Sequence, residues 1–244
     1  MRISLMLSIP MLALSMAACS GGSGDGPPKG EPIAKVAAPA GKQWTDTVVK
    51  TEEGYKIGNP QAKLQLVEYG AITCPGCAAF SVQSHTELMD VVNTGVVAFE
   101  FRPFLVHGIQ DVPGFLLAQC NGPDAYFGLT ERLFADQQNW LGKMSTLTPE
   151  EQQSVPKMKP EEAVTFLANK MGLVEYVKQF GISEDAAKKC LTDKAAFDTL
   201  AKNTEKTMAD GKVTGTPSFF LNDARLDAGN WTQVKSKLQE AGAR

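Results

Sequence analysis

The sequence predicts an α/β domain interrupted by an all-helical insertion. Three observations predict it. A strand–helix–strand pattern covers residues 64–104. About a hundred residues of helical periodicity follow, from 111 to 211. A strand signal then returns at 216–222, ahead of a last helix.

The chain has 244 residues and opens on MRISLMLSIPMLALSMAAC. Arg2 is the one charge before Cys19, and the apolar run behind it is broken by Pro10 and several serines. Such a run is too short to span a bilayer comfortably and reads as a secretory signal over residues 1–18, with a buried N-terminal helix as the alternative. The small residues before Ala18 suit an ordinary signal peptidase. SMAAC also resembles the lipobox of bacterial lipoproteins, whose cysteine is acylated and becomes the new N-terminus. Met16 stands where that pattern prefers Leu. The lipobox reading makes Cys19 a lipidation site. Residues 19–43 are rich in Gly, Pro, Ala and Ser with little to bury, and are expected to form a flexible tether. The roughly 200 residues from Trp44 onward suit one domain carrying an insertion. Without residues 1–18 the chain holds 23 Lys and Arg against 27 Asp and Glu, a net charge of −4. That balance argues against a nucleic-acid partner and against a polybasic membrane patch.

LQLVEYG (64–70) is short and apolar with β-branched and aromatic members, hence a strand. TCPGC follows it. Pro75 suits the first position of a helix with Cys74 as its cap, and the helix runs through GCAAFSVQSHTELMDVV to a stop near Asn93, Thr94 and Gly95. VVAFEFRPF (96–104) is the second strand and completes a βαβ unit. The helical stretch includes PDAYFGLTERLFADQQNWL and KAAFDTLAKNTEKTMAD, and Thr148 to Glu151 has capping-box spacing. TPSFFLN (216–222) is the late strand, ARLDAG its short partner across an Asn222–Asp223 turn, and Asn230 caps WTQVKSKLQEAG. Residues 44–106 and 212–244 then form one domain, with 107–211 inserted as a helical domain.

Five cysteines remain to be placed. With Cys19 lipidated, four are left, and a secreted chain lies in a compartment that favours disulfides. Cys74 and Cys77 are a natural pair, which leaves Cys120 and Cys190 for each other. Two separate buried thiols, or a bridge that tunes the first pair, are the alternatives there. A zinc site built from all four has suitable ligand types, but a secreted dithiol fits exchange chemistry better, so no metal is expected. A thiolate is the nucleophile of disulfide exchange. At a helix cap, Cys74 faces the first-turn N–H groups and the positive end of the helix dipole, so it is expected to attack, with Cys77 one turn in to resolve. An inert bridge is the alternative. His85 and His107 read as ordinary histidines.

The strand–CPGC–helix stretch, the GTP before the late strand, and the helical insertion between them resemble the DsbA-like thiol–disulfide oxidoreductases of the thioredoxin superfamily, from about Gly54 to the C-terminus. The resemblance implies a thioredoxin-like fold, a central mixed sheet flanked by helices, with the insertion above a Cys74–Cys77 redox-active disulfide. It implies that Pro217 is cis and that Thr216 and Pro217 meet an extended substrate. It gives Glu68, which shares a strand face with Leu64 and Leu66, the role of accepting or relaying the proton of the buried cysteine; a wet strand edge is the alternative. The expected function is extracytoplasmic: a periplasmic, membrane-anchored, monomeric enzyme that oxidises unfolded or folding secreted proteins with free cysteines. A membrane quinone-linked thiol oxidase would recharge it, and no prosthetic group is implied. The dipeptide Pro75–Gly76 lacks the histidine of the best-known oxidants, and Thr216 resembles the isomerases, so an isomerase or reductase is one rival. A non-catalytic peptide-binding, chaperone-like module is the other.

Overall fold

The computed structural model describes residues 30–243. The proposed signal peptide, Cys19 and the first part of the tether lie outside the described residues. A six-stranded sheet forms the centre, in the order β1-β2-β4-β3-β5-β6. Its strands are β1 (Val48–Lys50), β2 (Tyr55–Gly58), β3 (Leu64–Gly70), β4 (Val97–Pro103), β5 (Ser218–Leu221) and β6 (Ala224–Arg225). β3 and β4 run parallel, joined by α1 (Pro75–Asn93); every other pair is antiparallel. The sheet is therefore mixed, as the resemblance implies. Leu66 stands opposite Phe99 on one side and Leu221 on the other, and Glu68 opposite Phe101 and Phe219.

Both faces of β3 are covered, which is why its sequence is apolar at five of seven positions rather than alternating. One face packs against α1 through Phe80, Leu88 and Val92. Val67, on the other face, joins Phe104, Val213 and Phe220 in a smaller cluster. The Asn222–Asp223 turn has positive φ at both residues (48° and 67°), a conformation that Asn and Asp tolerate in two-residue hairpins.

Between β4 and β5 the chain is helical: α2 (Val112–Ala118), α3 (Pro123–Ala135), α4 (Gln137–Leu141), α5 (Pro149–Ser154), α6 (Pro160–Lys170), α7 (Leu173–Lys178), α8 (Glu184–Leu191) and α9 (Lys194–Ala209), with short 3-10 turns among them. The Thr148 capping box forms with Glu151, and Asn230 caps α10 (Trp231–Glu240) by accepting from Gln233 N. The helices share one core with the sheet: Phe101 of β4 lies 6.0 Å from both Phe115 and Phe134, centroid to centroid. Among the described residues no helix is long and apolar enough to cross a membrane.

Two features depart from the sequence reading. β1 and β2 extend the sheet at an edge where no strand is predicted. The described part of the 19–43 tether is not a loose leader. Val36 N donates to Thr94 O at 2.9 Å, Ile33 N to Gly242 O at 2.9 Å, and Trp44 Nε1 to Val36 O at 2.7 Å. Ile33 also packs on the core. A Cβ on Gly95, whose φ is +71°, would collide with the Val36 carbonyl, so the close approach depends on that glycine. Composition misjudges the segment because a few apolar side chains and backbone bonds to the C-terminal ends of α1 and α10 suffice to hold it.

Candidate active site

β3 ends at Gly70, and the chain turns through Ala71, Ile72 and Thr73, with Cys74 N donating to Ala71 O at 3.0 Å. Pro75 opens α1, and Cys74 is its cap with φ −79° and ψ 120°. The helix needs an acceptor for its free first-turn N–H groups; Cys74 Sγ supplies one, accepting from Cys77 N at 3.4 Å. Both cysteines are thiols in this structure. Cys74 keeps 7% of its surface exposed and Cys77 none.

The two thiols are driven apart in acidity. Hydrogen bonding from the Cys77 side chain, helped by Thr216 and by the backbone N–H groups of Cys77 and Gly76, lowers Cys74 to about 5 against the opposing effect of burial. Burial raises Cys77 well above the ordinary thiol range, and the bond to Cys74 and the charge of Glu68 add to it. Glu68 is 3% exposed, and its Oε1 has no hydrogen-bond partner. Burial first, and the Cys74 charge second, raise its carboxyl well above the usual range. The wet-edge alternative therefore does not describe Glu68. A cavity of about 280 Å³ between α1 and α3 reaches it, lined also by Phe80, Ser84, Thr130 and Phe134.

Linkage fixes the sign of one consequence. In the unfolded chain Glu68 ionises near its ordinary value of about 4.3, while the folded protein holds the proton to higher pH. Through that window the folded state binds a proton the unfolded state lacks, so Glu68 lowers stability as pH rises. Glu68→Gln removes that loss. In denaturant titrations of both reduced proteins, the variant should gain on the wild type from pH 4 to pH 8; parallel curves would show that Glu68 ionises freely.

The late strand completes the site. The Thr216–Pro217 bond is cis, and Cys74 Sγ lies 3.3 Å from Thr216 O. A Cβ on Gly76 would stand 3.1 Å from Pro217 Cδ, so the small residue between the cysteines admits the proline. The structure thus brings Glu68, Cys74, Cys77, Thr216 and Pro217 to one end of the sheet. Cys120 and Cys190 are joined in a disulfide, so they are not ligands for a four-cysteine zinc site. Among the described residues no group of three or more His, Cys, Asp or Glu side chains could hold a metal ion. His85 pairs with Glu131 at 3.4 Å beside the cavity.

Three residues of the site went unread in the sequence. Thr73 N and Oγ1 both donate to Asp111 Oδ1, at 3.1 and 2.6 Å, and Asp111 Oδ2 accepts from His107 N at 2.8 Å. Exposed His107 also places Nδ1 2.6 Å from Thr73 Oγ1. Gln137 Nε2 donates to Ile72 O and Cys74 O.

A family model described as Thioredoxin matches residues 50–240. A Rickettsia bellii protein, described provisionally as a protein-disulfide oxidoreductase, is 28% identical over 83% of this chain and 70% of its own length. The chain spans 60–62% of three further rickettsial proteins of that description. The crystal structure of a protein-disulfide isomerase from Novosphingobium aromaticivorans superposes with a TM-score of 0.71 at 27% identity, over 75% of this chain and 94% of that one. Wolbachia pipientis alpha-DsbA1 shares the fold, with a TM-score of 0.61 at 17% identity over 77% and 89% of the two chains. With the family model matched over residues 50–240 and a CPGC pair against a cis-proline, the chain belongs to the thioredoxin family, as a thiol–disulfide oxidoreductase.

Proposed function

We propose that this protein oxidises cysteine pairs of secreted proteins, with the Cys74–Cys77 disulfide as oxidant. The observation that carries the reading is the geometry of the pair: Cys74 Sγ caps α1 3.4 Å from Cys77 N and 3.3 Å from Thr216 O before the cis Pro217, while Cys77 is wholly buried. A substrate thiolate attacks Cys74 Sγ, forming a mixed disulfide and breaking the Cys74–Cys77 bond. The electron pair goes to Cys77 Sγ, which takes a proton; the raised carboxyl of Glu68 is the donor within the site. A second substrate thiolate then attacks the substrate sulfur of the mixed disulfide. The substrate leaves oxidised, and Cys74 departs as a stabilised thiolate, a good leaving group. The reduced pair returns its two electrons to a membrane quinone-linked thiol oxidase, and Glu68 regains its proton from solvent. Thr216 and Pro217 line the place where an extended substrate meets the site.

In this reading residues 44–106 and 212–244 are the catalytic domain, 107–211 the inserted helical domain, and Cys19 an acylated anchor that holds a monomer in the periplasm. An isomerase is the second reading. Thr216 before Pro217 favours it, as does the description of the Novosphingobium structure.

Stability against pH tests the oxidant reading. A folded thiol at about 5, against about 8.5 unfolded, stabilises the reduced protein. That stabilisation is complete above the unfolded value and is lost as pH falls through about 5. The reduced form should therefore gain on the oxidised form between pH 4 and pH 8, read from the denaturation midpoints of both. An inert bridge favours the oxidised form at every pH by constraining the unfolded chain. A constant advantage to the oxidised form would overturn the proposal.

A further inference from the structure

Gln137 begins α4, outside the strand–helix unit that carries the cysteines, and is 1% exposed. Its Nε2 donates twice, to Ile72 O at 2.9 Å and to Cys74 O at 3.0 Å. Between those carbonyls, Thr73 is gripped by Asp111, which is wholly buried. Gln137 and Asp111, both from the segment after β4, thus hold Ile72, Thr73 and Cys74. Gln137 Oε1 meets no donor. A buried oxygen left unpaired costs stability, and such an atom calls for an explanation. The two bonds made by the other end of the amide supply one.

We propose that Gln137 is a positioning residue for Cys74, through which the helical insertion sets the reactivity of the nucleophile. The inference rests on Cys74 being that nucleophile. The Cys74 carbonyl also accepts from Ala78 N at 3.1 Å, so with Gln137 it is held by two donors. Its direction fixes ψ of the cap, and with it the angle at which Sγ meets the N–H of Cys77. The amide also offsets the negative ends of two carbonyl dipoles beside a thiolate. Both effects favour the charged sulfur.

The test uses the reduced full-length protein and the pH midpoint of Cys74 alkylation by iodoacetamide, with thermal denaturation alongside. Gln137→Met keeps length and volume but loses both donors. Its midpoint should rise by roughly one pH unit or more. A merely structural role lowers the denaturation temperature and leaves the alkylation midpoint in place, and that result overturns the proposal. If Gln137→Met does not fold, Gln137→Asn, which keeps the amide but shortens its reach by one methylene, is read by the same two outcomes. A wild-type midpoint near about 8.5 would instead sink the assignment of Cys74 as nucleophile. A low wild-type midpoint unchanged in the variants sinks only the role of Gln137.

Discussion

Replacing Cys74 with serine should bring oxidation of a dithiol peptide down to the uncatalysed background. A hydroxyl at the cap can accept the Cys77 N–H but cannot form the mixed disulfide on which both transfer steps depend. Cys77→Ser should fail differently. Cys74 keeps its helix-cap position, attacks a disulfide-bearing peptide and remains joined to it, because no resolving thiol is left. Mass spectrometry separates the two variants: a stable adduct for Cys77→Ser and none for Cys74→Ser. The same asymmetry should appear in the wild type at pH 6. A thiol of about 5 is then about nine-tenths ionised, whereas a free thiol near 8.5 is about 0.3% ionised. Iodoacetamide should therefore label Cys74 at pH 6 and leave Cys77 untouched, since Cys77 is fully buried and its acidity is moved the other way. Equal labelling of both, or of neither, would show that the helix start does not activate Cys74.

The parts of the site visible in the sequence are those with a local signature. The βαβ unit reads correctly because β3 and α1 carry their own periodicity, and because Pro75 and the cap at Cys74 mark where one gives way to the other. Glu68 stands out because an acid interrupts an apolar strand that is covered on both faces. The missed parts depend on distant partners. β1 and β2 are three and four residues long and flank the polar stretch TEEG, too short for alternation to register. They are strands because β4 offers them an edge. Gln137 stands in DQQNW, where a buried glutamine and a solvated one look alike. Only the packing of α4 against the cysteine turn makes it part of the site. Asp111 reads as the polar start of a helix, although its carboxylate spends its bonds on Thr73 and His107 instead of capping α2.

Removing the second bridge should cost stability without touching the chemistry of the first pair. Cys120 follows the end of α2 and Cys190 lies in α8, and the bond between them closes a loop over a sequence separation of 70. In the chain-entropy account a loop of that length is worth about 4 kcal/mol. Helices α3 to α7 all lie within it, so the unfolded chain loses much freedom when the bridge is present. Part of the gain is already secured by packing. Leu133, Leu167, Val177 and Ile182, all within the loop, are buried in the core. The Cys120→Ala, Cys190→Ala double variant should therefore fold, with its denaturation midpoint lowered and a loss of no more than about 4 kcal/mol. Thiol counting checks the premise: without reductant, denatured oxidised protein should expose neither Cys120 nor Cys190. Neither bridge cysteine bonds to Ile72, Thr73 or Cys74, whose side-chain partners from the insertion are Gln137, Asp111 and His107. The pH midpoint of Cys74 alkylation should thus be the same in the double variant as in the wild type. If it moves while Gln137 and Asp111 are intact, the bridge transmits to the nucleophile and is regulatory; if only the denaturation midpoint moves, it is a staple for the insertion.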